Sequence, residues 1–315
     1  MRTRSGERAH WMAGGLVCAV LGAASALNAQ APAAAGQPAQ PGQPGQPSGL
    51  PTEITQVRFN SGQSVVPYYE GWIKNPDGTF DLVFGYFNRN WKQELYVPAG
   101  ADNKIEPGTA DQGQPTYFLP RRQRWAYRVR VPANFGKQTV VWTITANGKT
   151  ERGYGDLLPA QEINERVVMT NGDFDPGLDD PNKPPTLTIG STFTVKVNTP
   201  LTLAVAAADD GLPKPRNPPA PKPTTTNDGR PAQFATAQVN SSNPGRPRGL
   251  RVSWMQYRGS EKVLFEPAEA IPIPGGQGTA TTTARFTAPG TYKLIAMAAD
   301  GAMTTRREVT VTVTP

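Results

Sequence analysis

Residues 279–314 read TATTTARFTAPGTYKLIAMAADGAMTTRREVTVTVT, and this stretch decides the fold class. It contains three segments in which apolar and polar residues alternate, separated by the turn pairs Pro289-Gly290 and Asp300-Gly301. One face of the middle segment carries Tyr292, Leu294, Ala296 and Ala298. A period of two residues predicts β-strands rather than helices. Three strands so close together, with no helical period among them, predict part of a β-sandwich.

The strand pattern continues from this stretch back to residue 186. Further strands are predicted at residues 186–189, 192–197, 201–207, 250–257 and 262–265. Together they predict an antiparallel β-sandwich domain over residues 186–314. Residues 211–248 interrupt this domain with a stretch rich in proline and basic side chains, which is predicted to be a long inserted loop.

Four short motifs in this domain resemble those of a known family. They are Ala206-Ala-Ala-Asp-Asp-Gly-Leu-Pro213, Val252-Ser-Trp254, Phe286-x-x-Pro-Gly-Thr-Tyr292 and Ala298-Ala-Asp-Gly301. Through them, residues 186–314 resemble the PKD-like and immunoglobulin-like repeats of bacterial surface proteins. The resemblance implies a seven-strand Greek-key sandwich that serves as an adhesive, carbohydrate-associated or spacing module. The Gly-Asp-Gly-rich turn of standard PKD domains is not evident, so the resemblance extends only to the PKD-like class.

Residues 51–165 have the pattern of another antiparallel sandwich and resemble no characterised family. Strands are predicted at residues 65–74, 79–87, 94–97, 124–131, 139–146 and 149–154, and a polar loop at 99–116. The pair Asn147-Gly148 predicts a tight hairpin. In the segment 124–131, Trp125 is expected on the buried face together with Tyr127 and Val129. The predicted fold class is therefore all-β, with two antiparallel β-sandwich domains joined by an acidic linker at residues 166–185.

The first 50 residues precede both domains. Residues 1–29 combine a basic start with an apolar run that ends near Ala29, which predicts a secretory signal peptide. A retained N-terminal membrane anchor is the alternative, and is the one membrane contact expected. Residues 30–50 form a linker rich in proline, glycine, glutamine and alanine. The expected location is therefore the periplasm, the cell surface or the extracellular medium.

The composition excludes several kinds of site. The only cysteine is Cys18 and the only histidine is His10, and both lie in the predicted signal peptide. Removal of this segment leaves no disulfide, no thiol or imidazole catalysis and no ordinary zinc or haem ligands. The formal charge of +7 is a mild basic excess, suited to anionic glycans or lipids and equally to solubility. Nucleic acid is not expected as a partner, because no binding signature is present and export argues against it.

Aspartates occur where predicted strands end at one pole of the second domain. They are Asp209, Asp210 and Asp300, together with Asp179 and Asp180 of the acidic linker. Clustered carboxylates repel each other unless a cation offsets them, and calcium prefers six to eight oxygen ligands. The sequence therefore offers a calcium site at this joint as the one possible cofactor. The alternative is that these aspartates only form turns and cap the main chain.

Aromatic and basic residues of the first domain offer a second kind of site. Tyr69 and Trp91 are expected to be the exposed aromatics that stack on sugar rings. Arg128 and Arg130 are expected on an outer sheet face that contacts anionic polymers, next to Arg121, Arg122 and Arg124. The alternatives are that the aromatics build the core and that the arginines form a solvated face protecting against edge aggregation.

These observations predict an exported, non-catalytic structural or adhesive protein of the cell envelope, whose partner is an envelope glycan or another surface protein. One alternative is a carbohydrate-binding protein that uses exposed aromatics of the first domain. Another is a glycan-processing enzyme that uses a pair of carboxylates. The carboxylates available for such pairs are Glu162, Glu165, Asp173 and Asp175.

Overall fold

The computed structural model describes residues 58–172, 179–214 and 248–315. Nearly all regular structure in these ranges is β-strand, which confirms the all-β prediction. The predicted signal peptide, the linker 30–50, most of the insertion 211–248, Asp173 and Asp175 lie outside the described residues. Among the residues that are described, no helix has the length and apolar character needed to cross a bilayer.

Eight strands of the described residues form the first sandwich. They are β1 (Val65–Lys74), β2 (Phe80–Asn88), β3 (Leu95–Tyr96), β4 (Asn103–Glu106), β5 (Tyr117–Phe118), β6 (Arg121–Val131), β7 (Val140–Ala146) and β8 (Lys149–Gly155). One sheet has the order β1-β2-β6, another has the order β4-β7-β8, and β3 pairs with β5. The rings of Phe84 and Phe118 pack against the fully buried Trp142 in the core between the sheets. The Asn147-Gly148 hairpin is present between β7 and β8, with positive φ at both residues, as a type I′ turn requires.

The outer face of the β1-β2-β6 sheet differs from the prediction at Trp125. The pairing of β2 with β6 shifts between Phe84 and Tyr86, and Trp125 adopts a φ of 54°. This β-bulge turns Trp125 to the outer face, where it packs against Ile73 and Val83. The prediction that Trp125 belongs to the inner set is therefore wrong, because a bulge shifts the alternation of faces on which it was based.

Among the short elements that the sequence did not predict, two lie in segments expected to be irregular. The helix α1 (Glu165–Met169) begins in the predicted acidic linker, capped by the Asn164 side chain, which accepts a 3.0 Å hydrogen bond from the Val167 main-chain nitrogen. Val167 and Val168 cover the Trp125 cluster. The strand β4 lies in the predicted polar loop and has Ile105 as its one buried apolar side chain. Both elements are too short to show a hydrophobic period.

Nine strands of the described residues form the second sandwich. They are β9 (Thr186–Thr188), β10 (Thr192–Lys196), β11 (Leu201–Ala208), β12 (Arg251–Arg258), β13 (Leu264–Glu266), β14 (Ile271–Pro272), β15 (Gln277–Arg285), β16 (Gly290–Ala299) and β17 (Thr304–Thr314). The sheets have the orders β10-β17-β16-β12-β14 and β13-β15-β11-β9. All pairs are antiparallel except β10 with β17, which is parallel. Between the sheets, Phe286 and Tyr292 meet edge to face. This arrangement is an immunoglobulin-like sandwich.

The two sandwiches contact each other directly within one compact unit. A loop of the first domain lies against β12, where the Thr116 main-chain nitrogen donates to the Tyr257 main-chain oxygen at 3.2 Å. The Tyr257 hydroxyl donates in turn to the Gly113 main-chain oxygen at 3.0 Å. Beside them, Nη2 of Arg258 donates to both carboxylate oxygens of Asp111, at 2.8 and 2.9 Å. The joint, meaning the contact between the two sandwiches, therefore includes this loop and does not depend on the acidic linker alone.

Candidate functional site

Arginine and aromatic side chains gather on the first domain around the outer face of the β1-β2-β6 sheet. We call this set the arginine–aromatic surface. Its members are Arg58, Tyr68, Phe87, Trp91, Arg121 and Arg122. The pairing of β2 with β6 places Phe87 opposite Arg122, and Trp91 follows directly after β2. The exposed Phe59 lies alongside, since its main-chain oxygen accepts a 2.9 Å hydrogen bond from the Trp91 nitrogen.

Two guanidinium groups stack on the indole ring of Trp91. The Cζ atom of Arg58 lies 4.5 Å from the ring centroid, and that of Arg121 lies 4.2 Å from it. Arg121 also lies 4.7 Å from the ring centroid of Phe87. Cation–π contacts at exposed sites each contribute about 0.5–1 kcal/mol. The aromatic rings therefore restrict the orientation of both guanidinium groups, and Trp91 itself is 38% exposed.

The positive charge of this surface is only partly compensated. Arg122 stacks on Tyr68 at 4.8 Å and binds Glu70 with two hydrogen bonds of 3.0 Å. Arg121 donates a weak hydrogen bond of 3.4 Å to a main-chain oxygen. In the part of the chain that the structure describes, neither Arg58 nor Arg121 forms an ion pair. Both cations therefore remain available to an anionic ligand.

The structure turns Tyr69 away from this surface. Its ring packs against Phe84 in the core, with centroids 5.3 Å apart, and its hydroxyl donates to the main-chain oxygen of Asp156. Burial raises the pKa of Tyr69, and the charge of Asp156 raises it further. A side chain at Gly155 would collide with the Tyr69 ring at 2.9 Å, so this glycine leaves the space that the ring fills. The predicted exposure of Tyr69 is therefore wrong, and the neighbouring Tyr68 is the exposed residue.

Arg128 and Arg130 have acidic partners on the same sheet face. Arg130 binds Asp81 at 2.9 Å, and Arg128 pairs with both Asp81 and Glu165. Although burial alone would raise the pKa of Asp81, hydrogen bonds from Arg130 and Asn75 lower it. These interactions offset the charges of both arginines and tie α1 to the sheet. This geometry does not support the predicted role of Arg128 and Arg130 in binding an anionic polymer. Arg58, by contrast, has no acidic partner among the described residues, and no strand pattern in the sequence had indicated it.

The five aspartates of the predicted calcium site do not all converge. Asp180 pairs with Arg166 at 3.6 Å and accepts a hydrogen bond from the Asn182 nitrogen. Asp210 accepts one from the Lys183 nitrogen at 2.9 Å, and Asp179 is exposed. Among the described residues, no group of three or more Asp, Glu, His or Cys side chains is arranged to hold a metal ion.

Asp209 and Asp300 are the two that come together. Burial raises the pKa of Asp209, and the charge of Asp300 raises it further. Burial likewise raises the pKa of the fully enclosed Asp300. Asp209 also borders a cavity of about 340 Å³ whose other charged lining residues are Arg248 and Arg251.

No protein-family model matches the chain, and no curated protein matches it in sequence. Among solved structures, domains 4 and 5 of the S-layer protein SbsC match at 13% identity and a TM-score of 0.23, over 57% of this chain and 66% of that one, just under two thirds. The D00-D0 domain of intimin matches at 12% identity and a TM-score of 0.23, over 79% of this chain and 99% of that one. A protein of unknown function from Porphyromonas gingivalis W83 matches at 9% identity and a TM-score of 0.24, over 80% of this chain and 99% of that one. Likeness at this level says nothing about function, for which this chain's own residues are the evidence.

Proposed function

We propose that this chain is an exported, non-catalytic surface protein that binds an acidic polysaccharide of the cell envelope through the arginine–aromatic surface. The observation that carries the proposal is the pair of guanidinium groups, of Arg58 and Arg121, stacked on Trp91 without an acidic partner. A guanidinium group held in a fixed plane presents N–H donors that match the two oxygens of a carboxylate or the oxygens of a sulfate.

The same geometry favours a charged sugar over a neutral one. Neutral sugars bind aromatic side chains by stacking on an open ring face. The Trp91 ring already holds two guanidinium groups, and Tyr69, the other aromatic expected to stack, faces the core. An acidic sugar needs no open ring face, because it bridges the guanidinium groups themselves.

A binding role also fits the rest of the molecule better than catalysis. A carboxylate-dependent glycosidase needs two carboxyl groups roughly 5–9.5 Å apart across a groove. Glu165, one of the candidate carboxylates, is held in an ion pair by Arg128. Among the described residues that line the cavity of the second domain, Asp209 is the one carboxylate. The direct contacts between the two sandwiches suit a structural element that holds the binding surface in a fixed position relative to the second domain.

Affinity electrophoresis of the full chain through gels containing polygalacturonate or neutral dextran tests the proposal. We expect polygalacturonate to retard the protein and dextran to leave its mobility unchanged. Arg58→Gln and Arg121→Gln should each weaken the retardation about tenfold, because each removes a charge-assisted contact. Arg307→Gln removes the same charge from an exposed position of the second domain and serves as the matched control.

Two results would overturn this function. One is that Arg307→Gln weakens the retardation as much as Arg121→Gln, which would mean that binding follows net charge alone. The other is that neither polysaccharide retards the wild-type protein, which would direct the search to a protein ligand. Circular dichroism of each variant shows whether the fold is retained.

A further inference from the structure

Four buried polar atoms without hydrogen-bond partners occur on three residues at one end of the second domain. They are Nδ2 and Oδ1 of Asn182, Oδ1 of Asp209 and Oδ2 of Asp300. Asn182 is 5% exposed and Asp300 is 0% exposed. A buried polar group left unpaired costs about 1–3 kcal/mol, and such groups are rare in proteins. Three of the four atoms are oxygens, and their concentration at one place indicates a ligand that satisfies these acceptors together.

The three residues come from separate parts of the chain and meet at this end. Asn182 precedes β9, Asp209 follows β11 and Asp300 follows β16. Burial raises the pKa of Asp300, while the nearby Asn182 side chain lowers it. The pairing of β9 with β11 sets Thr186 opposite Ala208, so Asp209 lies next to the segment that carries Asn182.

The main chain holds each carboxyl group by one oxygen only. Oδ1 of Asp300 accepts hydrogen bonds of 2.6 Å from the nitrogens of Ala302 and Met303. Oδ2 of Asp209 accepts one of 3.0 Å from the Gly211 nitrogen. The second oxygen of each carboxyl group is the unpaired one, so both groups are oriented before any ligand binds.

Neighbouring contacts hold Asn182 in place as well. The nitrogen of Asn182 donates to Oδ1 of Asp180 at 3.1 Å, and the nitrogen of Lys183 donates to Oδ2 of Asp210 at 2.9 Å. Asp180 and Asp210 therefore act on the linker main chain and need not be ligands. Their role explains why the cluster contains two carboxylates and one amide, instead of the five carboxylates suggested by the sequence.

We propose that Asn182, Asp209 and Asp300 bind a calcium ion. The set offers three oxygen acceptors and two negative charges, without sulfur or imidazole, which suits a hard divalent cation. A single water molecule donates only two hydrogen bonds and leaves one of the three acceptors unpaired. Calcium accepts irregular shells of six to eight oxygens, whereas magnesium requires a near-ideal octahedron. Main-chain carbonyls and water complete the shell. This site is independent of the arginine–aromatic surface.

Thermal unfolding of the full chain after chelator treatment tests the site. About 1 mM CaCl₂, within the range of extracellular calcium modules, should raise the Tm by about 2–4 °C. The same concentration of MgCl₂ should raise it less. Asp300→Asn and Asn182→Leu should abolish the calcium response. Asp179→Asn removes a charge from the same segment at an exposed position and should retain the full response.

A second variant keeps the test decisive if those two proteins fold poorly. Asn182→Asp adds a third carboxylate to the group, so without calcium it should unfold at a lower temperature than the wild type. Calcium should then raise its Tm more than it raises that of the wild type. The proposal is overturned if calcium does not shift the wild-type Tm, or if the shift is the same in Asp300→Asn and Asn182→Leu. It is equally overturned if Asn182→Asp neither loses stability in chelator nor responds to calcium.

Discussion

The guanidinium group of Arg306 in β17 donates a hydrogen bond of 2.8 Å to the main-chain oxygen of Trp125 in β6. The same nitrogen, Nη1, lies 3.3 Å from the main-chain oxygen of Arg124. Both oxygens belong to the β-bulge, which removes them from the regular ladder. The bulge of the first domain therefore supplies the acceptors that the second domain uses at the joint. Burial lowers the pKa of Arg306, but a guanidinium group stays charged at neutral pH.

Replacing Arg306 by methionine should destabilise the joint. The substitution keeps the aliphatic stem but leaves the two main-chain oxygens without their donor, so we expect a loss of about 1–3 kcal/mol in the free energy of unfolding. Urea denaturation followed by tryptophan fluorescence measures it. Arg307→Met, at an exposed position of the same strand, should change stability by less than about 0.5 kcal/mol. Equal losses in the two variants would contradict the importance of the joint contact.

Replacing Gly85 by alanine should disrupt the bulge itself. A Cβ atom at this position would lie 2.6 Å from the main-chain oxygen of Gln123 and 3.2 Å from Cα of Arg124. The main chain must move to relieve the collision, so we expect a loss of at least about 2 kcal/mol, measured by urea denaturation. Gly190→Ala is the control, because its Cβ would meet only the Phe193 ring, at 3.4 Å. A Gly85→Ala protein as stable as the control would show that the bulge tolerates a side chain.

The ion pair between Arg258 and Asp111 should give the joint a pH-dependent stability. The hydrogen bond from Arg258 lowers the pKa of Asp111 below its ordinary value of 3.8. A lowered pKa in the folded state means that this stabilisation is present above about pH 4 and is lost as the pH falls through the folded-state pKa. Asp111 is 54% exposed at its side chain, so Arg258→Gln should cost only about 0.5–1 kcal/mol at neutral pH.

Urea denaturation across the acidic range checks this prediction. The difference in stability between wild type and Arg258→Gln should shrink below about pH 4 and vanish once Asp111 is protonated. A difference that stays constant down to this range would show that Arg258 acts through packing instead of through the charge of Asp111.

Replacing Trp91 by alanine should weaken the binding of acidic polysaccharide without affecting neutral polysaccharide. Loss of the ring frees Arg58 and Arg121 to move, so about 1 kcal/mol, or about fivefold in affinity, should be lost. Added salt should weaken binding to the wild type, because exposed charges are screened. Affinity electrophoresis at two salt concentrations measures both effects. Loss of neutral-sugar binding in this variant, with acidic binding intact, would instead assign Trp91 to sugar stacking.

Much of the strand structure was predictable because its signals are local. The alternation in residues 290–299 and the Asn147-Gly148 turn each depend on neighbouring residues, and both appear as expected. The bulge at Trp125 and the packing of Tyr69 into the core were not predictable, because each depends on a glycine elsewhere in the chain. Gly85 admits the bulge from the paired strand, and Gly155 leaves room for the Tyr69 ring from the other sheet.

The sequence by itself determined that this protein is built of two β-sandwiches, because side-chain period and turn chemistry act over a few residues. Only the tertiary structure decided which of its charges remain uncompensated. The partners of Arg128 and Arg130, Glu165 and Asp81, lie 37 and 49 residues away in sequence, whereas Arg121 has no such partner among the described residues. Electrostatic compensation depends on distance in space, and a linear pattern of charges does not contain that distance.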